Sequence, residues 1–305
     1  MVRTFCCWLA FGAIGLALAS PAPGADAAKI NVLIIDGQNN HNWKGTTPPI
    51  KAMLEKTGRF SVDVLPSLPK LDPKKATDDE KKAAAGGWAR FRHDFSKYQV
   101  VFSNYNGEPW PEEVNKAFEK YMENGGGLVV FHAANNAFTK WDAWTKRVAL
   151  LWQGPATGDR LYMDDAGKVV RQKKGEGPGA GHGPQWAYTL QVRDKDHPIT
   201  KGLPEKWVHA KDELYQAMRG PAENVHILVT AWADPAQNGT GGHEPMAFTV
   251  TCGKGRVFVN LLGHDATSVT HPGCAALMVR GTEWAATGAV TIPPPADLAA
   301  SPATK

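Results

Sequence analysis

Lys29–Asp36 reads KINVLIID and is followed at once by Gly37. The run is nearly continuous in apolar residues rather than alternating, which is the pattern of a strand covered on both faces, as in a parallel sheet flanked by helices. The segments after it keep to that plan. Pro48 and Pro49 are placed to open a helix capped by Thr46 or Thr47, with Ile50, Met53 and Leu54 facing inward and Gly58 ending it. Phe60–Leu65 reads as a second strand, residues 66–97 as a polar excursion with a short helix, and Tyr98–Ser103 as a third strand. Val114, Ala117, Phe118, Tyr121 and Met122 recur with helical period between Pro111 and Asn124. Leu128–Phe131 is a fourth strand, with a helix expected over Phe138–Trp152. The alternation predicts an α/β fold with a mainly parallel central sheet and helices on both faces. Gly154–Gly183, rich in Gly, Pro, Lys and Asp, reads as an insertion on the carboxyl edge, in the form of a β-hairpin. Strands at Tyr188–Arg193, Val225–Thr230, Met246–Thr251 and Arg256–Leu262 and a helix over Gly273–Ala286 complete the layer.

The ends of the chain read differently. Arg3, the apolar stretch Phe5–Ala19 and the small residues through Ala28 have the order of a secretory signal peptide, with cleavage expected after Ala19 or Ala27. This assigns residues 1–27 to a signal peptide, 28–292 to one domain and 293–305, rich in Pro and Ala, to a disordered tail. The expected location is periplasmic or extracellular, with no membrane association after cleavage. Of the 4 cysteines, Cys6 and Cys7 leave with the peptide. Cys252 and Cys274 are too few for a disulfide scaffold or a Cys-rich zinc site and read as small buried hydrophobes. Across 305 residues, 34 Lys and Arg against 30 Asp and Glu give a net charge of +4, without a basic cluster, so nothing points to nucleic acid. With 43% hydrophobic and 21% charged residues the chain is neither disordered nor a multi-span membrane protein.

In open α/β sheets, ligands bind beyond the carboxyl ends of the strands. The first predicted strand delivers Gln38, Asn39, Asn40, His41 and Trp43 to that rim; the third, Asn104, Asn106 and Glu108; the fourth, His132, Asn135 and Asn136; the last, His264 and Asp265. His209, Asp212, Glu213 and Tyr215 (HAKDELY) add further candidates, while His182 lies in the insertion, within Gly181–Gly183. Among the 11 tryptophans, Trp43, Trp110, Trp152 and Trp186 fall near the rim and could stack on sugar rings, whereas Trp141 and Trp144 read as core. His93, His226 and His271 read as ordinary loop or core histidines. Three chemistries compete: a divalent metal held by His41, His132, His209 and His264; acid–base work by His132, His264, Asp212 or Glu213; and a nucleophile. The last is disfavoured, because no Gly-x-Ser-x-Gly elbow occurs and neither Cys252 nor Cys274 follows a strand at a turn. Gly175–Ala180 mimics a dinucleotide fingerprint, but no strand precedes it and Pro178 interrupts it, so no nucleotide cofactor is expected.

The segments NVLIIDGQNNHNWKGTTP (31–48), GGGLVVFHAANNAF (125–138), GHGPQWAY (181–188), DHPITKGLPEKWVHAKDELY (196–215), HEPMAFTVTCGKGRVFVNLLGHD (243–265) and RGTEWAATG (280–288), in this order, resemble the ThuA-like, trehalose-utilisation family. The resemblance implies a flavodoxin-like fold of the class I glutamine amidotransferase kind. Amidotransferases of that fold carry a Cys at the elbow; here the elbow reads Phe131-His132-Ala133-Ala134, so glutamine hydrolysis is not expected. His264 would stand where their later histidine does. The family implies catabolism of trehalose and related disaccharides through 3-keto sugars. The expectation is thus a sugar-processing hydrolase or lyase: His132 and His264 handling protons or holding zinc or manganese, Asp212 or Glu213 supplying a carboxylate, and Asn39, Asn40, Trp43, Asn135, Asn136 and Tyr215 binding the sugar. The competing readings are a non-catalytic carbohydrate-binding protein and a partner of a sugar dehydrogenase.

Overall fold

The structure is a computed structural model that describes residues 28–72 and 74–298. The expected signal peptide lies outside the described residues. Eleven strands form one sheet: β1 (Ile30–Asp36), β2 (Phe60–Pro66), β3 (Val100–Ser103), β4 (Gly127–Phe131), β5 (Arg160–Met163), β6 (Val169–Gln172), β7 (Trp186–Val192), β8 (Lys206–Asp212), β9 (Val225–Trp232), β10 (His243–Cys252) and β11 (Gly255–Asn260). The path is β2-β1-β3-β4-β11-β10-β9-β7-β8. From β2 to β11 neighbours run parallel; from β11 to β8 every neighbour is antiparallel. Four reversals separate β11 from β8, so β8 points the same way as β11 and ends at the same edge.

Six helices accompany it: α1 (Trp43–Lys56), α2 (Asp78–Arg90), α3 (Glu112–Glu123), α4 (Asp142–Val148), α5 (Ala266–Thr270) and α6 (Pro272–Thr287). Alternation along β11 identifies the two covered faces. A Cβ on Gly255 would meet Met122 of α3, whereas Arg256 next to it donates to the Ala285 carbonyl of α6. Phe258 lies on the α6 side, where Gly281 leaves room for its ring. The other face holds an aromatic layer of Trp110, Phe118, Phe138, Trp141 and Trp144. Trp141 and Trp144 are thus core, and Trp110, expected at the rim, is buried with them.

Several boundaries differ from the sequence reading. Helix α1 begins at Trp43, before the prolines, because the Asn42 side chain accepts from the Gly45 amide and caps it. Pro48 and Pro49 sit inside, leaving the carbonyls of Lys44 and Gly45 without their usual donors. The helix expected over Phe138–Trp152 shrinks to α4, bracketed by left-handed Phe138 (φ 54°) and Ala149 (φ 62°). Strand β8 was not foreseen. The insertion is a hairpin, with β5 antiparallel to β6, and β5 also touches β10 at Met163–His243. Of the tail expected to be disordered, the described part ends with Leu298, which packs against the core; residues 299–305 lie outside the described residues. Cys252 is half-buried and Cys274 buried, both as free thiols. Among the described residues no helix is long and apolar enough to cross a membrane.

The α6–β11 contact gives a direct test. A Cβ at Gly281 would stand 2.1 Å from Phe258 Cδ1. Gly281→Ala should therefore destabilise the protein by about 1–3 kcal/mol through overpacking. An unchanged thermal midpoint would show that the helix can back away from the strand.

Candidate functional site

The carboxyl ends of β1, β4, β8 and β11 each bring one residue to a single point. His41 follows β1, His132 begins the turn after β4, Glu213 follows β8 and His264 follows β11. One potential ligand atom from each lies within 4.8 Å of every other. The Glu213 carboxylate is at the centre: Oε2 is 3.3 Å from His41 Nε2 and 3.5 Å from His132 Nε2, and Oε1 is 3.1 Å from His264 Nδ1 and 3.6 Å from His182 Nε2. The rings of His132 and His264 each stand edge-on to His41, with centroids 4.7 Å apart. A crevice of about 500 Å³ opens over the cluster, lined also by Asn40, Asn42, Asn136, Trp152, His182 and Tyr215.

Each histidine is aimed by its local structure. His132 is forced into the left-handed region (φ 44°) at the turn from strand to 3-10 helix, a conformation a non-glycine residue holds only under strain. Its Nδ1 lies 2.8 Å from the Leu261 carbonyl, which can only accept; Nδ1 therefore carries the hydrogen, and Nε2 presents a lone pair to the cluster. That nitrogen is buried without a hydrogen-bond partner, as are Nδ1 of His41 and Nδ1 of His264. Tyr215 stacks on the His132 ring at 4.3 Å, and Trp152 stands edge-on to Tyr215 at 4.8 Å. His41 is held by its amide donating to Asn39 Oδ1, and Asn39 in turn donates to the Asn104 carbonyl.

Asp212 lies behind the cluster. Fully buried, it accepts from His209 Nε2 (2.9 Å), the Gly263 amide (2.8 Å), the His264 amide (3.0 Å) and the Glu213 amide (2.9 Å). Burial pulls its carboxyl upward, but the His209 hydrogen bond, the nearby imidazoles and the Gly263 amide outweigh this and hold it below its ordinary 3.8. Burial likewise opposes ionisation of Glu213, yet the imidazoles of His132, His41 and His182 gathered around the carboxylate push it far below 4.5.

Of the residues singled out from sequence, His41, His264, Glu213, Asn40, Asn136, Tyr215 and Trp152 line the crevice, and His132 is buried beside them in the same cluster. The others do not line it. His209, expected among metal ligands, is buried behind Asp212, because β8 points its side chain into the core beside Tyr188. Asp212, expected as a catalytic group, has both carboxylate oxygens engaged by hydrogen bonds. Asn39 is spent on the His41 loop, and Asn135 is fully buried with its amide on Met218 Sδ (3.3 Å). Trp43 is the first residue of α1, and Trp186 packs against the core. Sequence reasoning left His182 and Asn42 out of the site. Trp152 and the Gly-His-Gly step were visible in the sequence, but nothing local says that the insertion folds back over the sheet.

Residues 31–285 match the ThuA family, described as trehalose utilisation. A ThuA-like protein from Parabacteroides merdae is 44% identical, covering 90% of this chain and 95% of its own, with a TM-score of 0.81. A second ThuA-like structure, from Bacteroides uniformis, is 20% identical over 89% of this chain and 97% of its own (TM-score 0.54), a likeness of fold. No curated protein matches the chain.

Replacing Asp212 with Asn removes a buried charge that four donors depend on and should cost about 3–5 kcal/mol in chemical denaturation. Because the Asp212 and Glu213 carboxyls are both depressed in the folded state, the stability they bring is complete above their ordinary values of 3.8 and 4.5 and is lost as pH falls through their folded values. The melting temperature should decline on acidification below pH 4.5, and less steeply in Asp212→Asn; parallel curves would contradict the assignment.

Proposed function

We propose a function from one premise: this chain belongs to the ThuA family, described as trehalose utilisation. It acts outside the cytoplasm in carbohydrate breakdown, taking trehalose-type or 3-keto disaccharides and glucosides in a divalent metal centre built from His41, His132, His264 and Glu213. The observation that carries this reading is the convergence of three imidazoles and one carboxylate within 4.8 Å beneath an open crevice. This donor set suits zinc or manganese, and the Leu261 carbonyl fixes the His132 tautomer as carbonyls behind metal-bound histidines do.

The lining argues for a neutral polyhydroxylated substrate. Asn40, Asn42 and Asn136 offer amides to hydroxyl groups, Trp152 and Tyr215 offer apolar surface to a sugar ring, and among the described residues no Lys or Arg lines the crevice. Such a metal would hold the oxygens of an α-hydroxyketone and stabilise the enolate formed from it. In a 3-keto glucoside the ketone acidifies the hydrogen on C2. A base in the crevice takes that proton, the C1–O bond to the departing sugar breaks, and the departing oxygen takes up a proton. The products are an unsaturated 3-keto sugar and a free sugar; addition of water completes hydrolysis. Asp212 stays ionised and holds the Glu213 and His264 backbones in place.

The test is elemental analysis of untagged protein purified without chelator, joined to assays on trehalose and 3-keto-trehalose. We expect near-stoichiometric zinc or manganese, turnover that disappears with a chelator and returns with the metal, and a loss of about a hundredfold or more in His132→Ala. Unchanged turnover in that variant would remove the cluster from the chemistry. Calorimetric sugar binding without any product would favour the carbohydrate-binding reading.

A further inference from the structure

We propose that His182, carried over the centre by the insertion, is a substrate-orienting residue, and that Arg219 is the positioning residue that keeps it there. The proposal deepens the functional reading above and rests on it for the identity of the substrate. His182 Nδ1 lies 2.6 Å from the Gly183 carbonyl, so Nδ1 carries the hydrogen and Nε2 is left as an acceptor. That nitrogen is 3.6 Å from Glu213 Oε1, too far for a hydrogen bond, and the side chain is about one-third exposed at the crevice. It is therefore free to accept from a hydroxyl of a sugar lying against Trp152, whose ring centroid is 5.7 Å away.

The segment that carries His182 has little of its own to hold it. Residues 173–183 are rich in Gly and Pro and form no strand or helix. What fixes them is Arg219, which is fully buried. Its guanidinium donates to the carbonyls of Gly158, Lys173, Glu176 and Pro178, and each of its side-chain hydrogen bonds ends on the main chain of the insertion. A buried cation paired with carbonyls rather than a carboxylate is costly, and burial accordingly lowers its pKa. What it gains is shape, since one planar fork ties several points of a loop together. The backbone continues the tie: Arg219 exchanges hydrogen bonds with Leu151, Asp159 with Gly220, and Gly181 with Gln216. The last pair places His182 next to Tyr215 across a two-stranded bridge. A Cβ on Gly183 would meet the Gln237 carbonyl at 1.8 Å, so the other side of the segment is pressed against main chain as well.

The test uses the full protein and the variants His182→Ala, Arg219→Lys and the pair together, with kcat and KM measured on 3-keto-trehalose. Arg219→Lys keeps the charge but loses the fork. We expect each single variant to lower kcat/KM about tenfold, and the double variant to be no worse than the worse single one, because both changes remove the same contact. Zinc stoichiometry should be unchanged in all three. Trypsin should cut Arg219→Lys at Lys173 and Lys174 faster than the wild type, while His182→Ala keeps wild-type resistance. Wild-type turnover by His182→Ala, or multiplying losses in the double variant, would overturn the proposal. Should the wild-type protein not turn over the sugar, the functional reading fails on its own; the tryptic rates still decide the clamp, which is refuted if Arg219→Lys is cut no faster.

Discussion

One buried carboxylate closes this molecule. Strand β8 lies at the far edge of the sheet path from β11, yet Asp212 at its end accepts from the amides of Gly263 and His264, which follow β11. The antiparallel half must therefore curl until its last strand returns to the parallel half, in the direction that strand twist already favours. Trp207, wholly buried on β8, fills the position opposite Gly273 at the start of α6, so the closure is packed as well as hydrogen-bonded. Without this return, Glu213 would hang at an open edge and His264 would lose the acceptor for its backbone.

The same closure explains the electrostatics. Glu213 is placed among four imidazole nitrogens at 3.1–3.6 Å, and among the described residues no Lys or Arg lines the crevice. A carboxylate kept charged by imidazoles, beside imidazole nitrogens with no other hydrogen-bond partner, is a surplus of donor atoms facing one point. Such a surplus is unfavourable in an empty interior and is relieved by a cation or by an oxygen-rich ligand.

The parallel half of the fold was legible because its strands bury both faces: KINVLIID and the run at 128–131 carry the signal in plain composition. The histidines after β1, β4 and β11 followed from that, since the sheet dictates where strand ends lie. Strand β8 was not legible. KWVHAKD exposes Val208 and Lys211 while burying Trp207, His209 and Asp212, and composition assigns the last two to a loop or a site. Missing it moved His209 to the front of the cluster and Asp212 into the chemistry, when both belong to the support behind. Asn39 and Asn135 failed for a related reason: an amide can serve the backbone or a neighbouring side chain as well as a ligand, and sequence does not show which. His182 was hidden because the fold of the insertion is set by Arg219, some forty residues on.

The position of His132 argues that the strained turn after β4 is part of the site's construction. A left-handed residue between strand and helix costs about 1–3 kcal/mol, and the surroundings maintain the strain. The Leu261 carbonyl fixes Nδ1, Tyr215 stacks on the ring, and the buried Ala133 and Ala134 leave the turn no bulk to clear. The turn holds the imidazole where it meets His41, Glu213 and His264, delivered from the ends of β1, β8 and β11. The strain is thus what it costs to bring a fourth side chain to a point that three other strand ends already reach.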